Sequence, residues 1–285
     1  MRLSGRTLLP LIVMLSCAAP AFAFDGGAWT VSPGEWYSEV SGRRIYANSM
    51  FYSDARNGSI PFEGRFQEFQ LYSYNEIGWK KNTSVVLGIP FINRTLRSFD
   101  DARTITGLAD ARLGLRMRLR DDNPGFLLDL TWIAPLGYNK NLAPRLGDGR
   151  QKLSGALNAG TRLPFVPGFV QGSRGVYFIS EDGLLYSRTS VDAGVWLTRR
   201  ILLAGHYGDF VPINSAVEIS NLGSSYDAGA ALLFRVDERL DISIGMTRDL
   251  FGRNSLETTQ FQVALGFKQT KLNPMQGFLG TLQKP

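Results

Sequence analysis

The chain holds one histidine, His206, and one cysteine, Cys17, among 285 residues. Hydrolytic chemistry needs a nucleophile, a base and an orienting group within hydrogen-bond reach. His206 sits beside Tyr207, and no serine stands two residues away on the same face of a strand. A metal site built from His and Cys has too few ligands here. Gly147-Asp148-Gly149 and the other glycines form no phosphate-cradling motif. What remains is charge set in steps of two among apolar residues. Glu39 and Arg43, then Glu68 and Glu76, then Asp110, Arg112, Arg116 and Arg118 follow this pattern, as do Asp129, Arg162, Asp192, Asp227, Arg235, Asp241 and Lys268. Paired carboxylates serve glycosidases, but here acids and bases are spread over many segments, as in the lining of a wet interior. Such a lining selects solutes by its field, or fills the interior by mutual ion pairing and fixes strand register. Both readings describe a non-enzyme with no catalytic residue, cofactor or metal.

These charges must be held on one face of an extended element, and Gly107 to Leu119 shows how. Its odd positions, Ala109, Ala111, Leu113, Leu115, Met117 and Leu119, are apolar; Asp110, Arg112, Gly114, Arg116 and Arg118 alternate with them. A period of two puts the sets on opposite faces of a strand. The apolar face must leave water, and the charged face must stay wet or paired. A sheet closed around a polar interior with lipid outside satisfies both demands; a sandwich strand with one solvated face does so too.

The rest of the chain decides between them. The same alternation recurs over twelve segments. They run from Glu35 to Ala47, Gly64 to Trp79, Thr83 to Arg97, Gly107 to Arg120, Phe126 to Pro135 and Lys152 to Pro164. The remaining six lie within Gly175 to Arg188, then from Ser190 to Thr198, Ile201 to Phe210, Ser224 to Val236, Leu240 to Phe251 and Glu257 to Gln269. Lys80-Lys81-Asn82 and Asp121-Asp122-Asn123-Pro124-Gly125 read as tight turns. Long polar connections, such as Asn48 to Glu63 and Leu136 to Gln151, largely alternate with short ones. Membrane barrels have this asymmetry, with tight periplasmic turns and longer outer loops. The alternation breaks near residues 165–200: the Pro/Gly connection Phe165 to Arg174 is longer than a turn, and the one near Thr189 is shorter than a loop. Trp36, Trp79, Trp132, Trp196, Phe251 and Phe267 fall near strand ends, as interface girdles do.

The N-terminus reads as a secretory signal over residues 1–23. Arg2 and Arg6 precede an apolar run, and Ala21-Phe22-Ala23 suits a signal peptidase. Its removal takes the only cysteine and lowers the formal net charge from +6 to +4, since residues 1–23 hold two arginines and no acid. The remaining balance is mild and does not point to nucleic acid. Beyond the signal no run of eighteen apolar residues offers a helical span. Residues 24–34 then read as an extended entry segment, 35–269 as one barrel domain, and 270–285 as a tail containing Pro274 and Gly277. The expected fold is a single antiparallel transmembrane β-barrel of about twelve strands with a polar lumen.

The strand Gly107 to Leu119 resembles the Gly-Leu-x-Asp-x-Arg-Leu-Gly-x-Arg-x-Arg strand of the outer-membrane barrel family named for the MetA pathway of phenol degradation. Tyr74-Asn75-Glu76-Ile77-Gly78 followed by Ser84-Val85-Val86-Leu87-Gly88-Ile89-Pro90 resembles that family's paired second and third strands, where Glu-Tyr-Gly is commoner than Glu-Ile-Gly. The resemblance implies a passive channel for small hydrophobic or aromatic solutes in the bacterial outer membrane, seated in lipid and inserted by the outer-membrane assembly machinery. The stretch Gly27-Ala28-Trp29-Thr30 is similar to outer-membrane proteins of exopolysaccharide secretion. That likeness implies the alternative of a structural envelope component.

Overall fold

The computed structural model describes residues 30–51, 59–97, 101–120, 123–139, 144–147, 149–180, 183–214 and 223–269. The expected signal (1–23), most of the entry segment and the tail (270–285) lie outside the described residues.

Thirteen strand segments follow one another: β1 (Trp36–Phe51), β2 (Ser59–Lys80), β3 (Thr83–Arg97), β4 (Ala102–Leu108), β5 (Asp110–Arg120), β6 (Gly125–Pro135), β7 (Lys152–Arg162), β8 (Gly168–Ile179), β9 (Leu184–Trp196), β10 (Ile201–Asn214), β11 (Ser224–Arg235), β12 (Leu240–Arg253) and β13 (Ser255–Gln269). Each pairs antiparallel with its neighbour, and β1 pairs with β13 to close the sheet. Closure leaves the long strands without a free edge in the membrane, where an unpaired backbone group is costly. β4 and β5 both lie against β3, so they are two parts of one strand. The barrel therefore has twelve strands.

The join between β4 and β5 corrects the reading of that strand. Phe91 pairs with Leu108, whereas Gly88 pairs with Arg112, so one extra residue is accommodated between them. This bulge flips the alternation. Ala109 is only 2% exposed and packs inside with Ile92 and Leu146, not outside with Leu113 and Leu115. Its N–H still donates to the Pro90 carbonyl at 3.0 Å, so the wall stays bonded across the break.

Both barrel termini, Trp36 and Gln269, lie at one end with the turns after β2, β5, β7, β9 and β11, and the longest connections are at the other. Asn82 joins β2 to β3 there, and the Asp237 carboxylate accepts from the backbone N–H of Arg239 and Leu240 at 2.7 and 2.9 Å, an Asx turn. That end is periplasmic by the usual asymmetry. Around residues 165–200 the strands differ from the sequence reading. The turn from β7 to β8 occupies residues 163–167, and β8 and β9 meet at a short outer connection ending on Gly183, whose φ is 63°. The hydroxyl-rich run Ser187 to Ser190 lies inside β9 rather than at a turn. Each connection thereby falls at its proper end, although the outer ones after β8 and β12 are no longer than the periplasmic turns.

Leu71, Leu87, Leu113, Leu130, Val263 and Leu265 all point outward and are exposed. Trp79 and Phe267 flank this band at the periplasmic end, in the girdle position. Trp196 does not: it pairs with Leu202, which is 2% exposed, and the Arg235 guanidinium lies 4.6 Å from its ring inside the barrel mouth. The apolar exterior has a measurable consequence. Leu113→Arg is expected to lower stability in lipid vesicles by about 2–4 kcal/mol. A urea titration showing less than about 0.5 kcal/mol, the ordinary surface value, would place that face in water.

Candidate functional site: the barrel lumen

Period-two alternation in β2 sends Glu68, Gln70, Tyr72, Tyr74 and Glu76 inward, and in β5 it sends Arg112 and Arg116 toward them. Glu76 is the centre of the densest network. Its carboxylate accepts from Arg116 at 2.7 Å, from the Tyr74 hydroxyl at 2.8 Å and from Ser84 at 2.5 Å. Arg116 also lies 3.6 Å from Asp129. Glu76 and Arg116 are almost wholly buried, so each charge depends on the other for the water it has lost. Beside them Glu39 accepts from Tyr37 at 2.9 Å, and Arg43 lies over the Tyr72 ring at 5.5 Å.

Chain also enters the outer half of the lumen. Leu136 to Gln151 connects β6 to β7, and its described part turns inward. Leu146 packs on Ile92 and Ala109, and Pro144 is fully buried. Arg94 pairs with Glu68 at 2.6 Å and donates to the Arg145 carbonyl of this connection. Tyr138 donates to Asp110 and accepts from the Gly149 N–H at 2.6 Å, while Lys152 lies 3.6 Å from Asp110.

The periplasmic mouth is occupied by the end of the entry segment. Residues 30–34 are not extended away from the barrel; they turn at Pro33-Gly34, where Gly34 has φ 76°. Val31 N–H donates to Glu76 at 3.3 Å, and Arg118 donates to the Thr30 carbonyl and hydroxyl at 2.8 and 2.7 Å. A Cβ at Gly78 would fall on the Ser32 carbonyl, so only glycine permits this approach.

Between these two segments a cavity of ≈ 160 Å³ lies against β5 to β10. Arg112, Arg116 and Arg188 share it with Asp129, Asp192 and the Tyr177 hydroxyl. Arg188 donates to Tyr177 at 3.3 Å. His206 borders the cavity with both ring nitrogens facing carboxylates: Nδ1 is 2.5 Å from Asp192 and Nε2 is 3.3 Å from Asp227. Neither nitrogen is placed to take a proton from a serine, so among the described residues no nucleophile–base pair forms at His206. The described residues contain no cluster of three metal-ligating groups.

The lumen gathers Glu39, Arg43, Glu68, Glu76, Asp110, Arg112, Arg116, Arg118, Asp129, Asp192 and Asp227 inside one wall. Arg162 and Lys268 stand exposed at the periplasmic rim, and Arg235 pairs there with Asp241 at 3.2 Å. Sequence reasoning passed over Arg94, Lys152, Arg188 and Asp249. Arg94 sits where Asn93 and Thr95 hide the alternation, although it is in phase with inward Ser84 and Val86. Arg188 falls in the stretch whose strand limits were misread. Asp249, buried against Thr258 at 2.5 Å, lies in phase with Asp241 on β12.

A closed antiparallel sheet with an apolar exterior and an ion-paired interior defines a transmembrane β-barrel of the outer-membrane type. The solved structures agree on this architecture. The chain is similar to an outer membrane channel from Pseudomonas putida F1, with TM-score 0.71, 10% identity and coverage of 88% of this chain and 100% of the other. It is also similar to the translocator domain of the autotransporter NalP from Neisseria meningitidis, with TM-score 0.50, 9% identity and coverage of 83% and 89%. At these identities the likeness is one of fold. No protein-family model and no curated protein matches the sequence.

Proposed function

We propose that this protein is a passive outer-membrane channel for small solutes, akin to the MetA-pathway barrel family that its strands resemble. The observation that carries the reading is the cavity of ≈ 160 Å³, lined by guanidinium, carboxylate and hydroxyl groups, inside a wall whose other face is apolar. The family resemblance supplies the solute class, small aromatic or hydrophobic molecules. The lining narrows it to aromatics that carry a hydroxyl or carboxylate. Arg112 and Arg188 suit both ends of such a molecule, because a guanidinium stacks on an aromatic face and bonds an oxygen acid. On this reading a signal over residues 1–23 delivers the chain to the assembly machinery of the outer membrane, and residues 24–34 begin the mature protein. The buried ion pairs and the inward connection favour a second reading, a structural envelope component whose lumen is filled rather than used.

Planar-bilayer recording of the refolded chain tests this, with heat-modifiable gel mobility as the check on barrel folding. Small stepwise conductance is expected. Arg112→Ala together with Arg188→Ala is expected to move the reversal potential in a salt gradient away from anion preference, since two fixed cations leave the path. A folded barrel that conducts nothing overturns the channel and leaves the structural reading.

A further inference from the structure

The outer surface of β1 to β4 carries an unbalanced feature above the apolar band. Arg65 and Arg97 are directly opposite each other across the β2–β3 pair. Their neighbours Phe66 and Leu96 pack inside, so both arginines point outward, and both are exposed. Like charges in directly opposed positions repel and weaken a sheet. Arg44, also outward and exposed, pairs with Phe69, four residues below Arg65 on β2. At the rise of a strand this sets Arg44 about 14 Å from the arginine pair. Among the described residues none of the three is paired with a carboxylate; Asp101, at the turn into β4, is held by Arg103 at 2.5 Å.

The surface below the arginine pair is graded. Leu71, Phe91 and Leu108 form an exposed apolar row, and Phe69 stands one step above it, level with Arg44 and Asn93. Above it come amide and hydroxyl groups already bonded in pairs: Asn93 with Thr106 at 2.7 Å, and Thr95 with Thr104 at 2.9 Å. The arginine pair stands above those. The strip lies on the outside of the barrel, at the end opposite the short turns. It passes from acyl-chain chemistry to sugar and amide chemistry to phosphate chemistry over one face of the wall.

We infer that this face binds a phosphorylated glycolipid of the outer leaflet. Its acyl chains lie on Leu71, Phe91 and Leu108. One phosphate is held between Arg65 and Arg97. Paired guanidiniums chelate a phosphate through charge-assisted bonds and lose their mutual repulsion in doing so.

Native mass spectrometry of the refolded full chain with bisphosphorylated lipid A tests the site. Arg65→Gln with Arg97→Gln is expected to weaken lipid A binding roughly 30-fold. Arg199→Gln with Arg200→Gln, at the short-turn end, is expected to leave it unchanged. Arg65→Lys with Arg97→Lys keeps the charge and loses the fork, so an intermediate affinity is expected; this pair decides the matter if the glutamine pair gives no folded band. Wild-type affinity in the decisive pair overturns the proposal. Equal binding of lipid A stripped of both phosphates, or of phosphatidylglycerol, overturns it as well. Displacement of lipid A by inorganic phosphate at equal concentration would show a free-anion site and not a lipid face.

Discussion

Arg116→Ala is expected to destabilise the barrel by about 3–5 kcal/mol, the usual cost of leaving a buried charge without its partner. The guanidinium is the cation nearest Glu76 at 2.7 Å and also faces Asp129 at 3.6 Å. Removing it strands a carboxylate that is 1% exposed. Tyr74 and Ser84 would still donate to Glu76, at 2.8 and 2.5 Å, but two hydroxyls do not neutralise a charge. The pair itself is a different matter. Arg116→Met combined with Glu76→Gln removes both charges and keeps most of the volume, so it is expected to recover most of the loss. Urea unfolding in lipid vesicles reads both variants. A loss below about 1 kcal/mol for Arg116→Ala would show that water reaches Glu76, and the lumen at that level would then be wet instead of packed. A double variant as unstable as the single one would point to the volume of Arg116, not its charge.

The wall of this protein was legible in its sequence because a strand between two solvents writes its orientation into every second residue. Leu71 and Tyr72, or Leu113 and Arg112, could be assigned to faces with no knowledge of their neighbours. Partnership was not legible in the same way. Glu76 and Arg116 are forty residues apart, and period two gives a side chain's face but not its height against strands elsewhere in the barrel. The bulge at Ala109 was invisible because alanine suits either face; Gly107 to Leu119 keeps perfect alternation in sequence while changing phase in space. The inward turn of the described part of Leu136 to Gln151 left one trace, the apolar residues Pro144 and Leu146 within a long connection. Apolar residues in a loop that has water available are a sign that the loop leaves it. The position of residues 30–34 left less, since Gly78 reads as an ordinary strand glycine until the Ser32 carbonyl is found against it.

That glycine gives the second large effect. Gly78→Val is expected to displace residues 30–34 from the periplasmic mouth, because any Cβ at this position occupies the place of the Ser32 carbonyl. Valine favours a strand, so the barrel keeps its pairing. Four bonds of the segment are lost with its docking, from Val31 to Glu76, from Gly34 to the Gly78 carbonyl and two from Arg118 to Thr30. At about 1 kcal/mol for each, the loss is comparable to that from Arg116→Ala. The conductance effect is the larger one. If the channel reading holds, single-channel conductance is expected to rise at least about twofold, since the segment bonds to Glu76, whose partner Arg116 lines the cavity. Limited proteolysis supplies an independent readout, with cleavage before Glu35 expected to be faster in the variant. Faster cleavage with unchanged conductance would mean that the segment docks at the mouth without obstructing it, and the inward connection around Leu146 would then be the barrier to solute. Unchanged cleavage and unchanged conductance together would mean that the wall yields to the valine and the segment stays in place.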